Sequence, residues 1–168
     1  QFAARLQKNL LSIARLRRNG ISAVPLIGSA CSIPLADETV DLIVTSPPYA
    51  NAIDYMRAHK FSLVWLGDHI SRLSELRARY IGSERVRGLR YRALPSRPES
   101  IVRELERLDN GKASVLRKYF LEMSDALAEM HRVLRKDSAA VVVVGSSTMR
   151  GIDVQTHYCM ADIAAGVG

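Results

Sequence analysis

Hydrophobic residues recur along this chain with two different periods, one typical of amphipathic helices and one typical of buried strands. Helical spacing is clearest over Ser114–Arg135, where an apolar stripe runs from Leu116 to Leu134. Short, nearly continuous apolar runs that end at turn residues indicate buried strands. The predicted helices are Phe2–Arg18, Ala52–Leu66, Ser114–Arg135 and Val154–Ala165, and the predicted strands are Ile21–Gly28, Val40–Thr45 and Ala139–Val144.

The alternation of apolar strands with amphipathic helices predicts an α/β fold with a parallel sheet. Asp109–Gly111 reads as a turn before the long helix, and Asp137–Ser138 as its end. The 168 residues, 48% hydrophobic and 24% charged, suit one globular domain. This composition excludes disordered, collagen-like and coiled-coil chains. The sequence contains no apolar run near the roughly 20 residues of a membrane span, and no signal peptide is visible.

The chain is strongly basic: its formal net charge is +7, and 19 of its 24 basic residues are Arg. Residues 69–107 hold ten Arg and five Glu, a net +5 within what we interpret as an insert of short pieces. Such a surface favours polyanions, so nucleic acid is the first partner to consider. We predict phosphate contacts for four residues of this insert: Arg85, Arg87, Arg90 and Arg92. The alternative is a solvated surface with Glu partners, its Arg content set by solubility or genomic base composition.

The two cysteines, Cys31 and Cys159, lie far apart in the sequence. Two cysteines do not form a disulfide framework in a domain of this size, and the sequence contains no CxxC pair for zinc. We therefore predict no metal site, two free and partly buried thiols, and a reducing cytoplasmic location.

The segment Thr45–Tyr49 follows a predicted buried strand, and ligands of open α/β sheets bind outside the carboxyl ends of strands. Pro47 and Pro48 fix the backbone and remove two N–H donors, so their carbonyls are offered as acceptors. Ser46 adds a hydroxyl and Tyr49 a flat ring. This set suits a planar ligand that carries an amino group, although a stiff turn with a packed Tyr is the structural alternative.

Asp41 to Tyr49, followed by Asn51 and Asp54, resembles motif IV of the DNA amino-methyltransferases that use S-adenosylmethionine, the N4-cytosine and N6-adenine methylases. The resemblance implies that the Ser46 Oγ and the Pro47 carbonyl accept the two N–H groups of the target amine. It also implies that Tyr49 stacks on a base of the DNA substrate, with Pro48 completing the catalytic loop. Ser at position 46 favours N4 of cytosine over N6 of adenine.

Other segments extend the resemblance over most of the chain outside the insert. Ile27 to Ala30 stands where the family has a strand ending in Gly-Asp-Ala, and Ser29 replaces the usual acid. The resemblance implies cofactor contacts for Gly28, Ser29 and Ala30, with Thr45 beside them. Val141 to Ser147 resembles a later strand and turn. The family's Phe-x-Gly-x-Gly loop is missing from the sequence. We therefore expect residues 1–168 to be a partial, Rossmann-like catalytic domain with helices on both sheet faces, lacking the first strands.

Alternatives remain for the substrate and for the role of residues near the loop. The same loop type occurs in methyltransferases that act on RNA or on protein glutamine, and the missing glycine loop would also fit a nucleic-acid-binding homologue without catalysis. Asp41 either faces solvent, which we favour, or orients the loop. One or two of Asp54, Tyr55 and His59 could line the pocket. Three further side chains are interpreted as packing residues: Trp65 against the sheet, and Met123 and Met130 in the core.

Overall fold

The computed structural model of the chain describes residues 2–16, 22–50, 55–67, 69–86 and 91–168. Its helices are α1 (Phe2–Leu16), α2 (Tyr55–Trp65), α3 (Leu73–Arg79), α4 (Ser96–Leu108), α5 (Asn110–Val133) and α6 (Thr156–Ala165), with a short 3-10 turn at Ile70–Arg72. Its strands are β1 (Val40–Thr45), β2 (Leu134–Val142), β3 (Thr148–Met149) and β4 (Ile152–Asp153). The prediction of a mixed α/β chain is confirmed at this level.

Strands β1 and β2 pair in parallel, as predicted, and β3 and β4 form a small antiparallel hairpin. In the register of the parallel pair, Leu42 lies opposite Ala139 and Thr45 opposite Val142. The strand predicted over 21–28 is wrong for its described part. Residues 22–28 run without a ladder partner, and only an isolated bridge between Ser29 and Ser32 follows. An apolar run becomes a strand only where a neighbouring strand satisfies its backbone groups.

The long helix α5 supplies the centre of the core, and its predicted apolar stripe is confirmed by buried side chains that include Met123 and Met130. It begins earlier than predicted because the Asp109 carboxylate accepts the Lys112 backbone N–H at 2.9 Å, so the presumed turn is an N-terminal cap. It also ends earlier. Asp137, with a φ of 61°, lies inside β2, where the β1–β2 register is irregular, and not at the helix end.

Helix α4 corrects the interpretation of residues 69–107 as an insert of short pieces. Short elements do occupy 70–79, but Ser96–Leu108 is a 13-residue helix with one buried face. That face packs against α5, and its members are Pro98, Ile101, Val102 and Leu105. The abundance of Arg in this stretch concealed apolar positions at helical spacing, so one face of a helix in the supposed insert belongs to the core.

The parallel sheet is covered on one face within the described residues. Ile43 and Val142 face the core cluster built on α5. The opposite face is open, with exposed fractions of 48–68% for Leu42, Val44, Val141 and Val143. Trp65 does not pack against the sheet, since it is 91% exposed, and that expectation is wrong. No helix in the described part of the chain is long and apolar enough to cross a bilayer.

Candidate active site

The Ser46–Tyr49 loop leaves the carboxyl end of β1 beside the end of β2. The Val143 backbone N–H donates to the Thr45 carbonyl at 2.9 Å, and the Ser46 hydroxyl donates to the Val143 carbonyl at 3.1 Å. A hydroxyl has one proton and two lone pairs. Because the Ser46 O–H already donates to a backbone carbonyl, the Ser46 Oγ presents its lone pairs to a ligand. The geometry therefore makes Ser46 an acceptor, which the amino group of a base requires.

A second anchor fixes the middle of the loop from beneath. The hydroxyl of Tyr119, on α5, donates to the Pro48 carbonyl at 2.9 Å, and the Tyr119 side chain is only 1% exposed. This bond occupies a lone pair of the Pro48 carbonyl and leaves the Pro47 carbonyl as the acceptor predicted for the amine. Nothing in the sequence pattern separated Tyr119 from the core residues around it, so its contact with the loop was missed.

The segment after α3 also reaches the loop. Gly82, at a φ of +80°, has the Tyr49 carbonyl and the Tyr119 ring as close neighbours. The backbone N–H of Gly82 donates to the Glu122 carboxylate at 3.1 Å, and Lys118 pairs with the same carboxylate at 2.7 Å. The Arg-rich stretch is therefore joined to the Ser46–Tyr49 loop and to side chains of α5.

Two cavities adjoin the loop, and Ser46 and Pro48 line both. The larger, about 500 Å³, brings Ala30 together with Thr45 and the loop up to Pro48. Gly28 and Ser29 do not line it. A Cβ at Gly28 would meet Pro34 at 2.6 Å, and the Ser29 Oγ instead accepts the Cys31 N–H at 3.2 Å within a tight turn. The structure thus separates two of the four residues predicted to bind the cofactor from the other two.

The larger cavity does not match S-adenosylmethionine. That cofactor carries a carboxylate, an ammonium, a sulfonium and ribose hydroxyls, all of which need polar partners when buried. The described residues that line the cavity include no charged side chain and are mostly aliphatic, drawn from the sheet and from α5. We therefore derive no catalytic step through the cofactor from this cavity.

The smaller cavity, about 350 Å³, has two rings with polar atoms in its lining. Its lining is Ser46, Pro48, His59, Leu63 and Tyr80. His59 was one of three candidates for the pocket. Of the other two, Asp54 and the side chain of Tyr55 lie outside the described residues. Tyr80 was missed, because no sequence signal links the end of α3 to a loop more than thirty residues earlier.

The basic and acidic candidates have specific partners. Arg92 pairs with Asp125 at 2.8 Å and also donates to the Leu121 carbonyl. Arg85 is half-buried, and Arg87 and Arg90 lie outside the described residues. Asp41 is exposed and pairs with Arg135, which fits the solvent-facing interpretation that we favoured.

The fold shifts the pKa values of two further groups near the site, the Cys31 thiol and the Glu129 carboxyl. Burial is the main cause that raises the pKa of the Cys31 thiol, so the thiol stays protonated and is a poor nucleophile. The Arg132 guanidinium, with help from the Ile33 N–H, lowers the pKa of Glu129 to about 2. Arg132 also donates to the carbonyls of Ile33 and Leu35, so this pair fastens the chain before β1 onto α5. Both cysteines are free, as predicted.

Curated proteins similar in sequence to this chain include type II methyltransferases. M.AvaI of Nostoc sp. is 28% identical over 97% of this chain and 38% of its own length. M.MvaI of Kocuria varians is 22% identical over 76% of this chain and 30% of its own length. A shorter match, 34% identical over 37% of the chain, is with M.BsoBI of Geobacillus stearothermophilus.

These similarities confirm the resemblance to methyltransferases that the Ser46–Tyr49 loop predicted. The chain spans less than two-fifths of the length of the curated relatives it matches. No protein-family model and no solved structure matches it.

Proposed function

We propose that this chain is part of a type II DNA methyltransferase that transfers a methyl group to the exocyclic amine of a DNA base. The proposed target is N4 of cytosine in preference to N6 of adenine, and the proposed methyl donor is S-adenosylmethionine. The proposal includes a Rossmann-like domain that acts in the reducing cytoplasm within a restriction–modification system. It is supported by the loop and by the similarity to type II methyltransferases.

The observation that carries the proposal is the orientation of Ser46. The Ser46 O–H donates a hydrogen bond to the Val143 carbonyl at 3.1 Å, so the Ser46 Oγ offers its lone pairs at the carboxyl end of β1. The lone pair of an exocyclic amine is delocalised into the base, which makes the amine a weak nucleophile. Hydrogen bonds from its two N–H groups to the Ser46 Oγ and the Pro47 carbonyl would draw it toward tetrahedral geometry and localise that lone pair.

Tyr49 is the proposed stacking surface for the base. A base must leave the duplex before its amine can react, which costs a few kcal/mol, and stacking on an aromatic ring offsets part of that free energy. The anchors at Ser46 and Pro48 hold the loop before the base arrives. Such preorganisation accounts for rate enhancement without a nucleophile or a metal among the named residues.

The Arg-rich segment is the proposed DNA contact. Arg85, Arg87, Arg90 and Arg92 remain our candidates for phosphate binding, although Arg92 would first have to leave Asp125. This role is supported by the excess of five positive charges over residues 69–107 and by the link from Gly82 to the catalytic loop.

The test is transfer of a labelled methyl group from S-adenosylmethionine to unmethylated genomic DNA by the full-length protein. We expect N4-methylcytosine in the digested product, and a fall in kcat of about 100-fold or more for Ser46→Ala. Ser12→Ala is the matched control, because the Ser12 hydroxyl also donates to a backbone carbonyl, but on α1. Full activity of Ser46→Ala would reject the assignment.

Other outcomes of the same assay distinguish the alternatives. Transfer to RNA or to a protein glutamine, with none to DNA, would replace the substrate class. Salt-dependent DNA binding with no affinity for S-adenosylmethionine would support a non-catalytic homologue. That alternative has one specific observation in its favour, the absence of charged partners for the cofactor among the described residues of the larger cavity.

A further inference from the structure

Gly145, three residues beyond the end of β2, lies directly against the ring of Tyr49. A Cβ placed on Gly145 would stand 3.1 Å from the Tyr49 Cζ, 3.3 Å from Cε1 and 3.5 Å from Cε2. Both Cε atoms flank Cζ, and a point in the ring plane at this distance from Cζ would be clearly farther from at least one of them. The Cβ position therefore stands over the ring face at its hydroxyl end. The backbone of Gly145 therefore covers one face of Tyr49.

The glycine is required here for space and not for backbone conformation. Among the described residues the glycines with a positive φ are Gly67, Gly82, Gly151 and Gly168, and Gly145 is not one of them. An alanine could therefore adopt its backbone conformation, and the remaining obstacle is the contact with the ring. At 3.1 Å that contact is tighter than nine in ten real Cβ contacts, so Tyr49 would have to move by a few tenths of an ångström.

We propose that Gly145 is a positioning residue, which sets the height and tilt of the Tyr49 ring and leaves only the opposite face for a base. This inference rests on the proposed function, since it concerns the stacking surface of the same site. Tyr49 is part-buried, and the next residue, Ala50, is 2% exposed, so the chain is held on both sides of the ring. A side chain at position 145 would push the ring toward the bound base.

The functional test is a double-mutant cycle in the full-length protein, with kcat/KM for methyl transfer to unmethylated DNA as the measurement. A displacement of about 1 Å at a reacting centre lowers rates by about 100-fold, so we expect a loss of roughly tenfold for Gly145→Ala and more for Gly145→Val. If Gly145 acts through the ring, Gly145→Ala causes less than about a twofold further loss in a Tyr49→Ala background, because the two effects are not additive. Ser146→Ala, an exposed neighbour, is the control in both backgrounds.

A second measurement does not depend on activity. In protein labelled with 3-fluorotyrosine, the fluorine replaces a hydrogen on Cε, which is where the new Cβ would press. The resonance of Tyr49, assigned by its loss in Tyr49→Phe, is expected to shift in Gly145→Ala and to stay unchanged in Ser146→Ala.

The outcomes separate this inference from the proposed function. No methyl transfer by the unsubstituted protein would reject the proposed function. Activity with fully additive losses, or an unchanged fluorine resonance in Gly145→Ala, would overturn the role of Gly145 and leave the proposed function standing.

Discussion

The ion pair between the buried Arg117 and the part-buried Glu99 joins α4 to α5 and allows a quantitative prediction. Both terminal nitrogens of Arg117 donate to the Glu99 carboxylate at 2.8 Å, a two-pronged geometry that fixes the angle between the side chains. The Arg117 side chain is 8% exposed and that of Glu99 is 23% exposed. The Tyr91 ring lies 5.0 Å from the same guanidinium. The perturbation that we choose is Glu99→Gln, which keeps the shape and removes the charge.

The expected loss in the free energy of unfolding is about 3 kcal/mol. Removal of one partner from a buried pair destabilises by roughly 3–5 kcal/mol, because the other charge stays buried without compensation. We take the lower end of that range because water reaches part of Glu99. The amide of Gln also turns an N–H toward one nitrogen of Arg117, so one hydrogen bond is replaced by a contact between two donors.

Urea denaturation followed by circular dichroism at pH 7 measures this loss. With a slope near 2 kcal/mol per molar urea, the midpoint is expected to fall by about 1.5 M. Glu104→Gln, an exposed change in the same helix, is the matched control and is expected to shift stability by less than about 0.5 kcal/mol. Equal midpoints for the two variants would refute the claim that α4 is fastened to the core through this pair.

The effect depends on pH with a definite sign. The hydrogen bonds from Arg117 are the main cause that lowers the pKa of Glu99 below its ordinary value of 4.5. A carboxyl whose pKa is lowered on folding contributes its full stabilisation above the unfolded pKa and loses it as the pH falls through the folded pKa. The difference between wild type and Glu99→Gln is therefore largest at neutral pH and shrinks below about pH 4.5.

Three further predictions use the same denaturation assay. Tyr119→Phe removes the hydroxyl that anchors the Ser46–Tyr49 loop and is expected to lower the free energy of unfolding by about 1 kcal/mol. If the proposed function holds, kcat for methyl transfer falls as well. Leu105→Ala, at a fully buried position, is expected to lower it by about 2–5 kcal/mol. Leu108→Ala, at a position 65% exposed, is its control and should change little. Arg92→Ala is expected to lower it by at most about 1 kcal/mol, because the pair with Asp125 is exposed. As a proposed phosphate contact, the same change is expected to reduce the slope of the salt dependence of DNA binding by about one, and an unchanged slope would remove Arg92 from the candidates.

The sequence by itself determined the elements whose pattern is local. The stripe of α5, the strand β1 and the rigid Ser46–Tyr49 loop each follow from residue spacing and proline chemistry within one segment. Similarity to type II methyltransferases was likewise readable from that loop. Local pattern also placed α6 within two residues of its observed start at Thr156.

Local pattern failed where structure depends on a partner from elsewhere in the chain. Residues 22–28 have an apolar run but no neighbouring strand among the described residues, so they form no ladder. The arginines of helix α4 concealed it in the sequence, because their ion-pair partners lie either one helical turn away or far along the chain. Glu99 supplies the charge that allows Arg117 to be buried, a pairing that composition alone does not reveal.

For the candidate site, too, the sequence reveals the properties of single side chains, and the tertiary structure reveals the contacts between distant ones. The sequence predicted an acceptor role for Ser46 and a stacking role for Tyr49, since a hydroxyl and a flat ring are properties of the side chains themselves. Only the tertiary structure decided three contacts: the Ser46 O–H donates to the Val143 carbonyl, the Tyr119 O–H donates to the Pro48 carbonyl, and Gly145 covers one face of Tyr49. Each of these contacts joins residues about 70 to 100 positions apart, and such distances are set by packing and not by local spacing.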